Sequence, residues 1–288
     1  MKLALGTVQF GLDYGVANAS GRITVQEAGA ILRRAQVDGL DTLDTAIAYG
    51  DSEAVLGQLG IERWNTVTKL PAVPDDCQDV AQWVHEQIQQ SMARLGVRQL
   101  HGVLLHRPVQ LFEKMGPALY GALQSIKAQG KTRKIGVSVY GPAELDMLFD
   151  AYELDLVQAP LNILDRGLVE SGWAGRLHDA GVEVHTRSAF LQGLLLMPSV
   201  QRPAKFNSWA NVWRAWNEWL EQDGLTPLQA CLRYVTNLPQ IDRVVVGVDN
   251  AVQLQQIVQA ADGKLPTLPE FPDLQDTRLI NPASWNQL

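Results

Sequence analysis

Cysteine is scarce. Cys77 and Cys231 are the only two, far apart and outside any Cys-X-X-Cys spacing. A disulfide framework and a cysteine-rich zinc site are thereby excluded, and both side chains read as ordinary thiols. The five histidines, at 85, 101, 106, 178 and 185, show no paired ligand spacing, so no metal is expected. His85 reads as facing a helix, and His101 and His178 as surface positions. Nowhere do 18 or more apolar residues run together. The opening Met1-Lys2-Leu3-Ala4-Leu5-Gly6 is too short an apolar run for a signal peptide, and a soluble cytoplasmic protein is the expectation. No block of basic residues occurs and the net charge is −7, so neither nucleic acid nor an anionic membrane is expected as a partner. The acidic balance reads as simple solubility.

What is present is ordinary globular composition with ample length for one large core. Short β-branched or leucine-rich runs recur at Leu3–Leu5, Leu40–Leu43, Thr66–Thr68, Leu100–Leu105, Lys134–Val137, Leu154–Val157, Val182–Val184 and Arg243–Val246. Each is too short for a helix and too continuous for a one-sided sheet, as expected of parallel strands buried on both faces. Amphipathic segments lie between them. Thr24-Val25-Gln26-Glu27 reads as a capping box for a helix that stops at Gly39. Asp51 is a candidate cap for a second helix, ending near Gly60. A third runs from about Asp79 to Leu95, and Pro142, Thr226-Pro227 and Asn250 open later ones. Eight strands alternating with helices predict a parallel sheet, doubly wound or closed, and the count of eight favours a (β/α)8 barrel, one domain over residues 1–288.

A long insertion from Leu191 to about Gly224 holds Trp209, Trp213, Trp216 and Trp219. Their spacings of 4, 3 and 3 share one helical face. That face either packs on the barrel or lines a pocket, since loops at this end of a barrel carry function. The tail from Lys264, with four prolines, reads as extended and laid over the surface.

In such a barrel the site lies at the C-terminal ends of the strands. The second run ends at Asp44, followed by Thr45-Ala46-Ile47-Ala48-Tyr49-Gly50. The third ends at Lys69, and the fourth in Leu104-Leu105-His106-Arg107-Pro108. Singly, each polar residue has a structural explanation, as a cap or a hydrogen-bonded core group. Jointly they place four titratable groups at one mouth. The chemistry they suit is acid catalysis by a phenol, an acid weak at neutral pH unless an ammonium nearby stabilises its phenolate. Lys69 supplies that charge, held by a salt bridge to Asp44, and His106 orients a carbonyl or shares the proton.

These runs, with Thr68-Lys69 and Ile135-Gly136-Val137-Ser138, resemble aldo-keto reductases in the same order from Leu5-Gly6-Thr7 to Val246-Gly247-Val248 and beyond. The resemblance implies a catalytic tetrad of Asp44, Tyr49, Lys69 and His106, and NADPH or NADH as cofactor for reducing an aldehyde or ketone, with a small aldehyde, a sugar and a sugar derivative all open as substrate. Gly6 and Thr7 resemble the family's residues near the nicotinamide. Ser138 and Gln158 match its carboxamide ligands, with Val139 standing where asparagine often follows. Arg187 occupies the place of a stacking tyrosine. Ser188, Phe190 and Gly193 resemble the loop that clasps the pyrophosphate, and Gly247 to Gln253 opens the helix facing the adenosine phosphates. Where relatives hold a 2′-phosphate with lysine and arginine, this chain has Gly247 and Gln253, with the acidic Asp249 between. The expectation is relaxed dual specificity, with NADPH preference weaker than roughly a hundredfold, unless Lys205 or Arg243 reaches in.

Tyr14, Ile47, Arg107, Asn162, Phe206 and Trp209 lie on mouth loops and are candidate substrate contacts. Two rival readings stay open. Lys69 at a strand end suits a Schiff-base aldolase, and the fold also suits a non-catalytic sensor of nicotinamide nucleotides or a regulatory subunit.

Overall fold

Eight short strands pair in parallel in chain order and close on themselves. The computed structural model describes residues 1–13, 21–271 and 276–288, so Tyr14 lies outside the described residues. The strands are β1 (Leu3–Gly6), β2 (Thr42–Asp44), β3 (Asn65–Leu70), β4 (Leu100–Leu105), β5 (Thr132–Ser138), β6 (Leu156–Pro160), β7 (Glu183–Arg187) and β8 (Arg243–Gly247). Between and after them run α1 (Val25–Val37), α2 (Ser52–Gln58), α3 (Val80–Leu95), α4 (Gly116–Ala128), α5 (Pro142–Leu148), α6 (Gly167–Glu170), α7 (Trp173–Asp179), α8 (Ala210–Asp223), α9 (Pro227–Thr236), α10 (Ala251–Ala260) and α11 (Thr277–Ile280). The architecture is a (β/α)8 barrel. Its outward strand faces and the helices share one continuous apolar core, while Val67, Leu104 and Leu156 form a separate small cluster. No described helix is long and apolar enough to cross a membrane.

All eight expected runs are strands, but β6 and β7 start one or two residues late and extend three residues further. That extension carries Gln158 and Arg187 inside their strands. Helix ends follow the local chemistry. Asp79 caps α3 by accepting from the Gln82 amide, and Gly96 ends it in the left-handed conformation. Thr226 and Gln229 close a full capping box on α9. Two expected caps differ. Thr24 accepts from the Glu27 amide, but the Glu27 carboxylate reaches instead to the Ala251 amide at the start of α10. Asp51 makes no cap bond and instead pairs with Arg22 at 2.7 Å.

The tail is not simply extended. It ends in α11 and a 3-10 turn, Pro282–Gln287, with Phe271, Leu279 and Trp285 buried. This segment covers the tryptophan face of α8. Trp219 Nε1 donates to the Thr267 carbonyl at 3.1 Å, and Trp209 Nε1 to Asp276 at 3.1 Å. Trp216 lies against Phe271, and Phe206 against Trp285. All four tryptophans of the insertion are buried, so packing accounts for them. Trp216→Ala should therefore cost about 3–5 kcal/mol of stability, measured by urea denaturation; a loss under about 1 kcal/mol would show that the face is not a packed core.

At the other end of the barrel, near the strand N-termini, Glu183 sits among His101, His185 and Lys134. The two imidazole Nε2 atoms lie 2.9 and 2.6 Å from its oxygens, and Lys134 Nζ donates to it. Burial pushes this carboxyl up, but the hydrogen bonds prevail and hold it well below the usual carboxylate range. His101 is thus half-buried rather than on the surface, because Glu183 draws its ring into the cluster.

Candidate active site

The turn after β2 is built to hold Tyr49. Its amide donates to the Ala46 carbonyl, and its own carbonyl accepts from the Ser52 amide, each at 3.0 Å. Gly11 packs so closely there that a Cβ would lie 1.9 Å from the Tyr49 carbonyl oxygen. Buried Ser52 ties this turn to the end of β1, donating to the Thr7 carbonyl at 2.8 Å. Beneath it the fully buried Glu53 accepts from Thr68, Ser91 and Arg94. Neither Ser52 nor Glu53 belongs to a motif that marks it in the sequence.

Four strand ends meet at Asp44. Lys69 Nζ donates to Asp44 Oδ1 at 2.7 Å and to the Thr45 carbonyl at 3.0 Å. Gln158 Nε2 donates to the other carboxylate oxygen at 2.7 Å, and Ser138 Oγ lies 3.4 Å from Gln158 Oε1. Both Asp44 oxygens are therefore engaged, and Lys69 is only 1% exposed. Burial alone lowers the Lys69 pKa, but the Asp44 carboxylate and then Tyr49 outweigh it, and the ammonium is held above its ordinary value. Its Nζ lies 5.2 Å from the centre of the Tyr49 ring. The His106 ring stands edge-on to that ring, 6.1 Å between centroids. Burial first, then the charges of Lys69 and Arg187, push His106 down to about 4, so it is neutral at pH 7.

The arrangement opens into a cavity of about 440 Å³ bordered by Asp44, Tyr49 and Gln158. Its wall on the β7 side is a conformationally costly loop. Ser188, Leu191 and Gln192 have φ of 64°, 48° and 52° without being glycine. Each such residue costs of order 1–3 kcal/mol.

The aldo/keto reductase family model matches residues 2–268. The chain belongs to the aldo/keto reductase family. Among its relatives, the L-glyceraldehyde 3-phosphate reductase of Escherichia coli (strain K12) is 26% identical over 203 residues, 60% of this chain and 56% of the relative. The NADH-specific methylglyoxal reductase of Escherichia coli (strain K12) is 26% identical over 185 residues, 54% of each. The matches thus span about half the length of these curated relatives. Among solved structures, the holo form of an aldo-keto reductase from Bacillus halodurans superposes with a TM-score of 0.72 at 19% identity, covering 95% of this chain and 91% of that one. The glycerol dehydrogenase of Gluconobacter oxydans gives 0.70 at 21%, covering 98% and 93%. At that identity the structures share the fold.

Most residues with expected cofactor roles in this aldo/keto reductase border the cavity. Gly6 and Thr7 do so from β1, Arg187, Ser188, Phe190 and Gly193 from β7 and its loop, and Gly247, Asp249 and Gln253 from β8 and α10. Ser138 lies behind Gln158. Arg187 donates to the Val139 carbonyl at 3.0 Å and sits over the Tyr140 ring, so the backbone at Val139 is engaged although its side chain offers no amide.

The expected substrate contacts fare differently, and none of the five described ones borders this cavity. Phe206 and Trp209 are packed under the C-terminal segment. Asn162 is fully buried, donating to the Ser188 carbonyl and accepting from the Leu164 and Asp165 amides, which fixes the loop after β6. Ile47 packs against the core, and the exposed Arg107 faces Glu113 at 3.7 Å. Gln9, which follows no recognisable motif, does border the cavity. Lys205 and Arg243, the basic groups considered as phosphate ligands, are held elsewhere. Lys205 donates to the Trp285 carbonyl, and Arg243, at the start of β8, binds Asp41 and Thr42. Among the described residues no group of three or more His, Cys, Asp or Glu could hold a metal ion.

Proposed function

We propose that the chain acts as a single barrel domain that reduces a small aldehyde or ketone with NADH or NADPH, Tyr49 donating the proton. The observation that carries this reading is the buried ammonium of Lys69, locked to Asp44 beside the Tyr49 ring at the cavity wall. The cavity also fits a dinucleotide. Gln9 and Asp249, whose Oε1 and Oδ1 atoms are buried without donors, line it, and the Gln9 amide fills the space over Gly247. Ser138 and Gln158 would hold the carboxamide, Arg187 would lie against the nicotinamide, and Ser188, Phe190 and Gly193 would hold the pyrophosphate. The bound nicotinamide supplies hydride.

The rest follows from the side chains. A carbonyl oxygen lying against Tyr49 gains negative charge as hydride arrives, and the phenol proton moves to it. Lys69 stabilises the phenolate left behind, in a site where low dielectric strengthens the interaction. Asp44 fixes the ammonium, and Gln158 fixes Asp44. His106, kept neutral, can donate one hydrogen bond to the carbonyl without competing for the proton. A Schiff base needs a neutral lysine amine, and Lys69 is held as an ammonium with two acceptors. The names of the methylglyoxal and L-glyceraldehyde 3-phosphate reductases support small aldehydes as substrates. Loss of reduced-nicotinamide absorbance with methylglyoxal and glyceraldehyde tests the reading; dinucleotide binding without turnover of any aldehyde would favour a sensor.

The low pKa of His106 carries a stability consequence. The unfolded chain takes up a proton on this histidine below about pH 6.5, while the folded protein resists until about pH 4. Its contribution is therefore intact above pH 6.5 and is lost as pH falls toward 4. His106→Asn should lose less stability between pH 7 and pH 5 than the parent, by about 1–2 kcal/mol in urea denaturation. Equal losses in the two proteins would mean that the imidazole is not kept neutral by the site.

A further inference from the structure

We infer that Glu53 is a positioning residue for the reduction: its carboxylate holds β3 against the Tyr49 turn and so sets the distance between Lys69 and the Tyr49 ring. The inference rests on the reading that Tyr49 donates the proton.

Glu53 stands four residues beyond Tyr49, in the first turn of α2. It is fully buried, a costly place for a carboxylate unless donors surround it. Three residues supply them. Thr68 Oγ1 and Ser91 Oγ donate to Oε1 at 2.8 and 2.6 Å, and Arg94 Nε donates to Oε2 at 2.8 Å. Ser91 belongs to α3 and Arg94 to its last turn. Here α2 and α3 also meet very closely, since a Cβ on Gly57 would lie 1.9 Å from the Arg94 carbonyl oxygen. Thr68 belongs instead to β3, immediately before Lys69. Neighbours on a strand face opposite ways. Lys69 bonds to Asp44 on one side, and Thr68 to Glu53 on the other. One peptide unit therefore separates the hydroxyl that Glu53 holds from the residue whose ammonium lies 5.2 Å from the Tyr49 ring centre.

The preceding residue holds the opposite flank. Ser52 donates to the Thr7 carbonyl at 2.8 Å, and Thr7 Oγ1 donates to the Asp44 carbonyl at 3.0 Å. Ser52 and Glu53 thus reach to β1 and β3, the two neighbours of β2, and fix the Tyr49 turn between them. Stability does not account for a carboxylate in this place, because well-packed apolar residues are often as stabilising as a buried ion pair or more so. Apolar contacts are non-directional. Hydrogen bonds to one carboxylate define both a distance and an angle. Chemistry is sensitive to such placement, and a shift of about 1 Å can cost on the order of 10²-fold in rate.

The test uses the full chain and measures single-turnover reduction of methylglyoxal and glyceraldehyde, dinucleotide affinity and urea stability for each variant. Thr68→Val removes the hydroxyl and keeps the shape. It should slow the chemical step about tenfold or more, with KM and dinucleotide affinity within a few-fold of the parent. Thr68→Ser, which restores the hydroxyl, should recover most of the rate. Ser91→Ala removes the other hydroxyl from the same oxygen but leaves Thr68 in place, and Arg94 still ties Glu53 to α3. It should lose stability while its rate stays near the parental one. If Thr68→Val does not fold, Glu53→Gln and Glu53→Met decide: the amide oxygen of glutamine can accept from both hydroxyls, so Glu53→Gln should be clearly the faster of the two. A parental rate in Thr68→Val, equal rates in the two Glu53 variants, or rates that simply follow stability across the set would make Glu53 a structural residue and overturn the inference. The reductase reading would stand in each case. A parent protein that turns over no aldehyde overturns both.

Discussion

Tyr49→Phe is expected to lower the rate of carbonyl reduction by about 10²–10⁴-fold, the usual contribution of a positioned general acid. The dissociation constant for the dinucleotide should stay within a few-fold. The two effects separate because the substitution removes a single oxygen. The ring remains to fill the space between Lys69, 5.2 Å from its centre, and the edge-on His106, so the cavity wall keeps its shape. What is lost is a proton donated only as the carbonyl oxygen becomes an alkoxide, an interaction of the transition state that lowers kcat rather than raising KM. Single-turnover measurement with saturating NADH or NADPH reads the chemical step directly. Near-parental turnover would remove Tyr49 from the mechanism and move attention to His106 or to solvent as the proton source.

How far this site could be read from the chain depended on where each interaction is encoded. Asp44, Tyr49, Lys69 and His106 each stand at or just beyond the end of a strand whose hydrophobic run is visible by itself. The barrel's closed parallel order then brings those ends to one rim. Local patterns plus a known topology therefore suffice. Gln9 and Glu53 depend on contacts between distant segments. Gln9 matters because β8 returns beside β1 and places Gly247 under its amide. Glu53 matters because Ser91 and Arg94 of α3 fold over it. Nothing within a few residues of either records those partners. The tryptophans of α8 show the converse. Their spacing gives the shared face, but what covers it, the segment carrying Phe271 and Trp285, lies far along a proline-rich tail whose composition suggests extended chain. His101 read as a surface residue for the same reason, since the carboxylate that draws it in belongs to β7.

Lys69→Met should abolish most activity, and its effect on folding allows the catalytic role of the lysine to be isolated. The ammonium is almost wholly buried and makes the ion pair that holds Asp44. Removing it leaves a buried carboxylate with Gln158 as its remaining side-chain partner. Breaking one half of such a pair typically costs about 3–5 kcal/mol, so the single variant should be visibly less stable in urea. Low activity alone would then be ambiguous. Adding Asp44→Asn removes the stranded charge while an amide can still accept from Gln158, so the double variant should regain more than half of the lost stability. Its turnover should nevertheless stay low. A structural role for Lys69 predicts the opposite pattern, with activity returning alongside stability. The charge is needed twice in this fold, once to balance Asp44 in the ground state and again to stabilise the phenolate in the transition state, and only the first need can be met by neutralising the aspartate.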